Sequence, residues 1–129
     1  MERQSKILLI DDDIDFVNAT KTVLESRNYK ISVACNGDEG LKKARDEKPD
    51  LIILDIIMPV KDGFSVAEQL KKDKELSGIP IVMLTSFGER KGETTLAVSR
   101  GMNLDAEDYI EKPAKPEALL KAVERLLNK

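Results

Sequence analysis

The chain has 129 residues, of which 41% are apolar and 35% charged, a composition typical of one folded domain and not of a disordered chain. Its net charge of −3 argues against direct nucleic-acid binding and against attachment to an anionic membrane. One cysteine and no histidine exclude an internal disulfide, a Cys–His nucleophile and a Ser–His–Asp triad within the chain.

Short apolar runs alternate with stretches of helical spacing along the whole chain. The predicted strands are 6–10, 30–34, 51–54, 80–84 and 108–111. The predicted helices are marked by Val17, Thr20 and Leu24, by Leu41 and Ala44, by Val66, Ala67 and Leu70, by the stretch around 94–102, and by Leu119, Leu120, Val123, Leu126 and Leu127. This alternation predicts an α/β fold in which a five-stranded parallel sheet carries helices on both faces.

Several single residues between these elements have expected local roles. Asp13 and Asp62 are expected to cap the helices that follow them, and Pro116 suits the first turn of the last helix. Cys35 ends the second strand and is interpreted as a small buried hydrophobic residue. We expect a single domain over residues 1–129, ordered from about residue 5, with no output domain, no membrane span and a cytoplasmic location.

Polar side chains follow four of the predicted strands. Asp11 and Asp12 follow the first strand, Asp55 the third, Thr85 the fourth and Lys112 the fifth. The carboxyl ends of parallel strands meet at one edge of a sheet, where such folds place their ligands. Three carboxylates at one place require a cation, and an all-oxygen ligand set without histidine or cysteine favours Mg²⁺ over zinc.

The motifs at these strand ends resemble those of the receiver domains of bacterial response regulators, over essentially the whole chain. They are the acidic pair after the first strand, D-x-x-M-P-x-x-D-G from Asp55, T-S after the fourth strand, and K-P after the fifth. The resemblance implies a flavodoxin-like, doubly wound (βα)5 fold with strand order 2-1-3-4-5, similar to a chemotaxis regulator. It also implies a phosphorylation-dependent signalling switch in a two-component phosphorelay, and not an enzyme that acts on other substrates.

The resemblance also assigns roles to residues. Asp55 would accept the phosphoryl group, and Asp12 and Asp55 would ligate Mg²⁺, for which Mn²⁺ could substitute. The backbone carbonyl of Ile57 would complete the protein ligands, and Asp11 would act through water. No organic cofactor is implied.

Two further residues complete the site that the resemblance implies. Thr85 would bind the phosphoryl group and Lys112 would pair with it. The phosphoryl donor must be a phosphohistidine on another protein, since this chain has no histidine. The implied donor is a histidine kinase or a histidine phosphotransfer protein, and small donors such as acetyl phosphate also fit.

The resemblance further implies that phosphorylation would draw Thr85 inward and let Tyr109 turn from exposed to buried. This change would rearrange the face formed by the fourth helix, fifth strand and fifth helix, through which the chain would bind a downstream target or pair with a second copy. Tyr109 can equally be an ordinary half-buried strand residue, and both interpretations remain open.

Three features bear on the lifetime of the phosphoryl group and on the choice of partner. By the same resemblance, Ile57 and Phe87 occupy the positions that would flank the hydrolytic water, and their bulk predicts slow self-dephosphorylation. The segment 86–95 is longer than the family pattern, and Asp105 stands where such domains usually carry a glycine.

An enzyme is the main alternative. The run "LLIDDDI" also resembles the D-x-D signature of haloacid-dehalogenase-type phosphatases, in which Asp11 would be the nucleophile. That interpretation leaves the motif around Asp55 unexplained. A flavodoxin-like cofactor module would need a phosphate-binding loop where this chain has carboxylates, which repel phosphate.

Overall fold

The structure is a computed structural model that describes residues 4–55, 63–86, 108–112 and 115–127. Its strands are β1 (Lys6–Ile10), β2 (Lys30–Ala34), β3 (Leu51–Asp55), β4 (Ile81–Ser86) and β5 (Asp108–Lys112). Its helices are α1 (Ile14–Glu25), α2 (Gly37–Glu47), α3 (Gly63–Lys72) and the C-terminal helix (Pro116–Leu127). The helix expected around 94–102 lies outside these residues. Within the described ranges, no helix combines the length and hydropathy that crossing a membrane requires.

The five strands form one parallel sheet in the order β2-β1-β3-β4-β5. This confirms the predicted fold class and strand order. β1 and β2 have the predicted bounds, β3 extends to Asp55, and β5 extends to Lys112. β4 begins at Ile81, one residue after Pro80, which has no backbone N–H to donate to a sheet.

The sheet separates two hydrophobic cores because alternate strand residues point to opposite faces. On one face, Leu8 and Ile10 of β1 pack with residues of α2 and α3 such as Leu41 and Leu70. On the other face, Ile7 and Leu9 pack with residues of α1 and the C-terminal helix. Both faces of β1 and β3 are therefore buried, as expected for a sheet covered on both sides.

At the carboxyl end of the sheet, α1 and α2 each follow a residue whose side chain caps the helix. Asp13 is the N-cap of α1, as predicted, and its Oδ1 accepts a hydrogen bond from Phe16 N at 3.1 Å. Asn36 is the N-cap of α2, and its Oδ1 accepts from Glu39 N at 2.9 Å.

The sequence-based interpretation of Cys35 as a buried residue is wrong. β2 ends one residue earlier, at Ala34, and Cys35 lies exposed in the turn before Asn36. The backbone N–H of Cys35 donates to Glu39 Oε1 at 2.6 Å. Cys35 therefore belongs to the helix cap and not to the core, because the chain must leave the sheet there to start α2.

β2 is an edge strand of the sheet, and side chains of α2 bond to its outer backbone groups. Lys30 and Ala34 bond to the β1 side, through Lys30 N to Ser5 O and Asp11 N to Ala34 O. Since alternate residues of a strand bond to opposite sides, Val33 and Cys35 present their groups to the outer edge. Lys43 Nζ donates to Val33 O, and Glu39 accepts from Cys35 N.

Candidate functional site

Three aspartates meet where β1 and β3 end side by side. The last paired residues of these strands are Ile10 and Leu54, and each is followed by an aspartate, Asp11 and Asp55. Asp12 comes one residue later, in the turn between β1 and α1. One carboxylate oxygen from each aspartate lies within 4.8 Å of the others. The structure thus brings together the three carboxylates that the sequence placed at one edge.

The three carboxylates differ in exposure and in their surroundings. Asp11 is 1% exposed and Asp55 is 3% exposed, whereas Asp12 is exposed to solvent. Asp11 Oδ1 accepts a hydrogen bond from Asp13 N at 2.9 Å, and Asp11 N donates to Ala34 O at 3.0 Å. The β1–α1 turn and the adjacent strand β2 therefore hold Asp11 in place.

This donor set fits a hard divalent cation. Two buried carboxylates and an exposed third would repel one another without a positive charge among them. The convergent ligand atoms are all carboxylate oxygens, with space for water on the side of Asp12. Such a set can hold a metal ion, and oxygen ligands with partial hydration are those that Mg²⁺ prefers.

The backbones of Thr85 and Lys112 also lie at the carboxyl end of the sheet, where the three aspartates meet. Asp55 pairs with Leu84 on β4, which places Thr85 one residue beyond the level of Asp55. Lys112 is the last residue of β5 and pairs with Ser86. For Thr85, Ser86, Tyr109 and Lys112 the structure describes the backbone alone. The roles assigned to their side chains therefore stay predictions.

Several predicted features lie outside the described residues. These are Ile57 with its carbonyl, Phe87, the cap residue Asp62, the segment 87–95 and Asp105. One residue next to the site, Gly40 of α2, was not predicted; it packs against Ile10, which directly precedes Asp11. The available signal was a glycine inside a stretch of helical spacing, where glycine is unfavourable.

Comparison with known proteins assigns this arrangement to a family. Residues 7–124 match the family model of the response regulator receiver domain. The chain is 38% identical over 124 residues to the alkaline phosphatase synthesis transcriptional regulatory protein PhoP of Bacillus subtilis, covering 96% of this chain and 49% of PhoP. It is 37% identical over 123 residues to protein PilH of Pseudomonas aeruginosa, covering 95% of this chain and 98% of PilH.

A solved structure has the same overall arrangement. The CheY-like response regulator receiver domain protein of Methanospirillum hungatei superposes with a TM-score of 0.84 at 28% identity, covering 98% of this chain and 95% of that protein. The chain spans about half the length of PhoP and of the other transcriptional regulators that it matches, such as the probable regulator ycf27 of Guillardia theta, of which it covers 49%.

Proposed function

This chain belongs to the response regulator receiver domain family, whose members are phosphorylation-dependent signalling switches, and we propose that Asp55 accepts the phosphoryl group. One observation carries the proposal. Asp55 ends β3 within 4.8 Å of the Asp11 and Asp12 carboxylates, at the sheet edge that Thr85 and Lys112 also reach. The phosphatase alternative has no support among these similarities.

The surroundings of the three aspartates favour Asp55 as the nucleophile. Asp11 Oδ1 accepts from the Asp13 amide, and this bond stabilises the carboxylate charge and weakens its attack on phosphorus. Asp12 is exposed, where water would compete with a phosphoryl donor for its oxygens. Asp55 is 3% exposed and ends a strand that is buried along its whole length, so its backbone position is fixed, which favours a nucleophile that must be held in place.

We assign Asp12 and Asp55 as direct Mg²⁺ ligands together with the Ile57 carbonyl, and Asp11 as a ligand through water. The bound ion would neutralise charge on the phosphoryl oxygens, and Mn²⁺ could replace it. Asp11 suits an indirect role because one of its oxygens already bonds to a backbone amide. Asp12 suits a direct role because its exposed carboxylate can turn toward the ion without breaking a described contact.

In the proposed transfer, a carboxylate oxygen of Asp55 attacks the phosphorus of a phosphohistidine on a partner protein. The P–N bond breaks as the new P–O bond forms, and the imidazole nitrogen takes the electron pair and a proton from solvent. Lys112 and the Thr85 hydroxyl bind the remaining phosphoryl oxygens. The chain thereby catalyses its own phosphorylation and, slowly, the hydrolysis of the phosphoryl group on Asp55, because the bulk of Ile57 and Phe87 would hinder the attacking water.

The partners follow from this chemistry. The donor is a histidine kinase or a histidine phosphotransfer protein, and the reaction takes place in the cytoplasm. After transfer, Thr85 would move toward the phosphoryl group and Tyr109 would follow, which would change the predicted face of the fourth helix, β5 and the C-terminal helix. That face then binds a downstream protein or a second copy of the chain.

Intact-mass spectrometry after incubation with acetyl phosphate and MgCl₂ tests the assignment. The variants are Asp55→Asn, Asp11→Asn and a control, Asp46→Asn, which makes the same change at an exposed position of α2. We expect one phosphoryl adduct on wild type and Asp46→Asn, and none on Asp55→Asn. An adduct that survives in Asp55→Asn, or phosphate release that only Asp11→Asn abolishes, would refute the proposal.

A further inference from the structure

Gly40 occupies a position where backbone conformation does not require glycine. It is buried in the second turn of α2, and among the described glycines none has a positive φ. Glycine lowers the stability of a helix interior relative to alanine. Its presence at this position therefore requires a reason from packing.

That reason is the close approach of α2 to the end of β1. A Cβ atom on Gly40 would lie 2.5 Å from Cδ1, 2.9 Å from Cγ1 and 3.1 Å from Cγ2 of Ile10, whose side chain is fully buried. Rotation of Ile10 about χ2 could move Cδ1 but would leave Cγ1 and Cγ2 in place. Since a β-branched side chain is also stiff about χ1, a methyl group at Gly40 would displace either Ile10 or the helix.

Either displacement would move residues of the aspartate cluster, which consists of Asp11, Asp12 and Asp55. Ile10 directly precedes Asp11 and pairs with Leu54, which directly precedes Asp55. If α2 moved instead, it would pull on the short turn that joins it to Ala34, whose carbonyl accepts from Asp11 N at 3.0 Å. The packing of Gly40 on Ile10 is thus mechanically linked to the relative positions of Asp11 and Asp55.

We propose that Gly40 is a positioning residue of the metal site: its missing side chain lets α2 hold the end of β1 where the Asp11 and Asp12 carboxylates can bind a cation together with Asp55. This inference rests on the proposed Mg²⁺ site. The affinity of the site for Mg²⁺ would then depend on α2, a helix that contributes no ligand. Carboxylate ligands must be held within a few tenths of an ångström for Mg²⁺, which demands near-ideal octahedral geometry.

Isothermal titration calorimetry with MgCl₂ on the metal-free protein tests the inference. Gly40→Ala is the perturbation, and Gly78→Ala is the matched control, because a Cβ at Gly78 meets nothing within 4 Å. Leu126→Ala removes core volume on the opposite face of the sheet. It lowers the stability of the protein away from α2 and so shows whether Mg²⁺ affinity follows stability. The double variant Gly40→Ala with Ile10→Val adds one carbon and removes one, which conserves core volume.

We expect Gly40→Ala to weaken Mg²⁺ binding by about 10-fold, the lower end of the effect of residues that orient metal ligands. Gly78→Ala and Leu126→Ala keep the wild-type dissociation constant, the latter despite a lower urea midpoint. The double variant recovers part of the lost affinity, because Ile10→Val removes Cδ1, the atom nearest to the new Cβ, and leaves Cγ1 and Cγ2.

Two results would overturn the inference while leaving the proposed function intact. In one, Gly40→Ala binds Mg²⁺ as wild type does, so that the glycine serves packing alone. In the other, Gly40→Ala and Leu126→Ala lose affinity equally, so that the loss follows global stability. If wild type itself binds no Mg²⁺, the proposed metal site fails and this inference fails with it.

Discussion

Removing the exposed carboxylate of the cluster should stabilise the protein when no metal is present. Asp12 lies within 4.8 Å of both Asp11 and Asp55, so its charge repels two buried charges. Asp12→Asn keeps the shape of the side chain and removes both repulsions. The site would then trade stability for a metal-binding function, as active sites commonly do.

The size of the effect follows from the separation of the charges. At 4.8 Å, two unit charges interact by about 0.9 kcal/mol in water and by about 3.5 kcal/mol at an effective dielectric constant of about 20. Asp12 is exposed, so solvent screening places each pair near the lower value. For two pairs, we expect Asp12→Asn to raise the free energy of unfolding by about 1–2 kcal/mol.

Urea denaturation followed by far-UV circular dichroism, in EDTA and in MgCl₂, measures this difference. Wild type should gain stability from Mg²⁺, and Asp12→Asn should gain less. The difference between their free energies of unfolding should therefore shrink or change sign when metal is added. Asp46→Asn on the exposed side of α2 removes one charge away from the cluster and should change little. Equal or lower stability of Asp12→Asn in EDTA would mean that the carboxylates do not repel one another, and the reasoning would fail.

Two further predictions concern groups away from the site. Thr20 is fully buried in α1, and its hydroxyl has no hydrogen-bond partner among the described residues, so Thr20→Val should raise the free energy of unfolding by about 1 kcal/mol or more in urea. Thr22→Val, at an exposed position where the hydroxyl donates to a backbone carbonyl at 2.9 Å, should give no gain, and a gain in both variants would discredit the buried hydroxyl as the cause. Partial burial and, secondarily, the charge of Glu124 raise the pKa of the Tyr29 hydroxyl. Because the folded state holds this proton more tightly, its contribution to stability is complete below pH of about 10 and is lost as pH rises through the folded pKa. Absorbance at 295 nm of wild type and Tyr29→Phe checks the pKa, and a tyrosine that ionises at its ordinary pKa would contradict it.

The fold could be predicted from the sequence because its signals are local and repeated. Runs such as 6–10 and 51–54 are too apolar for an exposed strand, and Leu119, Leu120 and Val123 share one helix face. The prediction of Cys35 as buried failed by a single residue. Composition does not reveal where a strand gives way to a cap, and here the Glu39 side chain binds the Cys35 backbone.

The ligands of the candidate site could be predicted from the sequence, but the packing of α2 against β1 that positions them could not. Asp11, Asp12 and Asp55 follow strands, and parallel topology alone brings such positions to one edge. The contact between Gly40 and Ile10 depends on how closely α2 lies against the sheet, a distance set by tertiary packing. The spacing of apolar residues predicts which face of a helix is buried, but not the distance between the helix and the sheet on which it packs.

The bonds from α2 to the outer edge of β2 have a consequence for how the molecule behaves at high concentration. An open strand edge offers unpaired backbone groups that a second chain can extend, which is a common route to aggregation. In this chain Lys43 binds the carbonyl of Val33, and Glu39 binds the amide of Cys35. An incoming strand would have to displace a charged side chain at each of these groups. These two side chains therefore protect the carboxyl-terminal part of the β2 edge against pairing with the strand of another molecule.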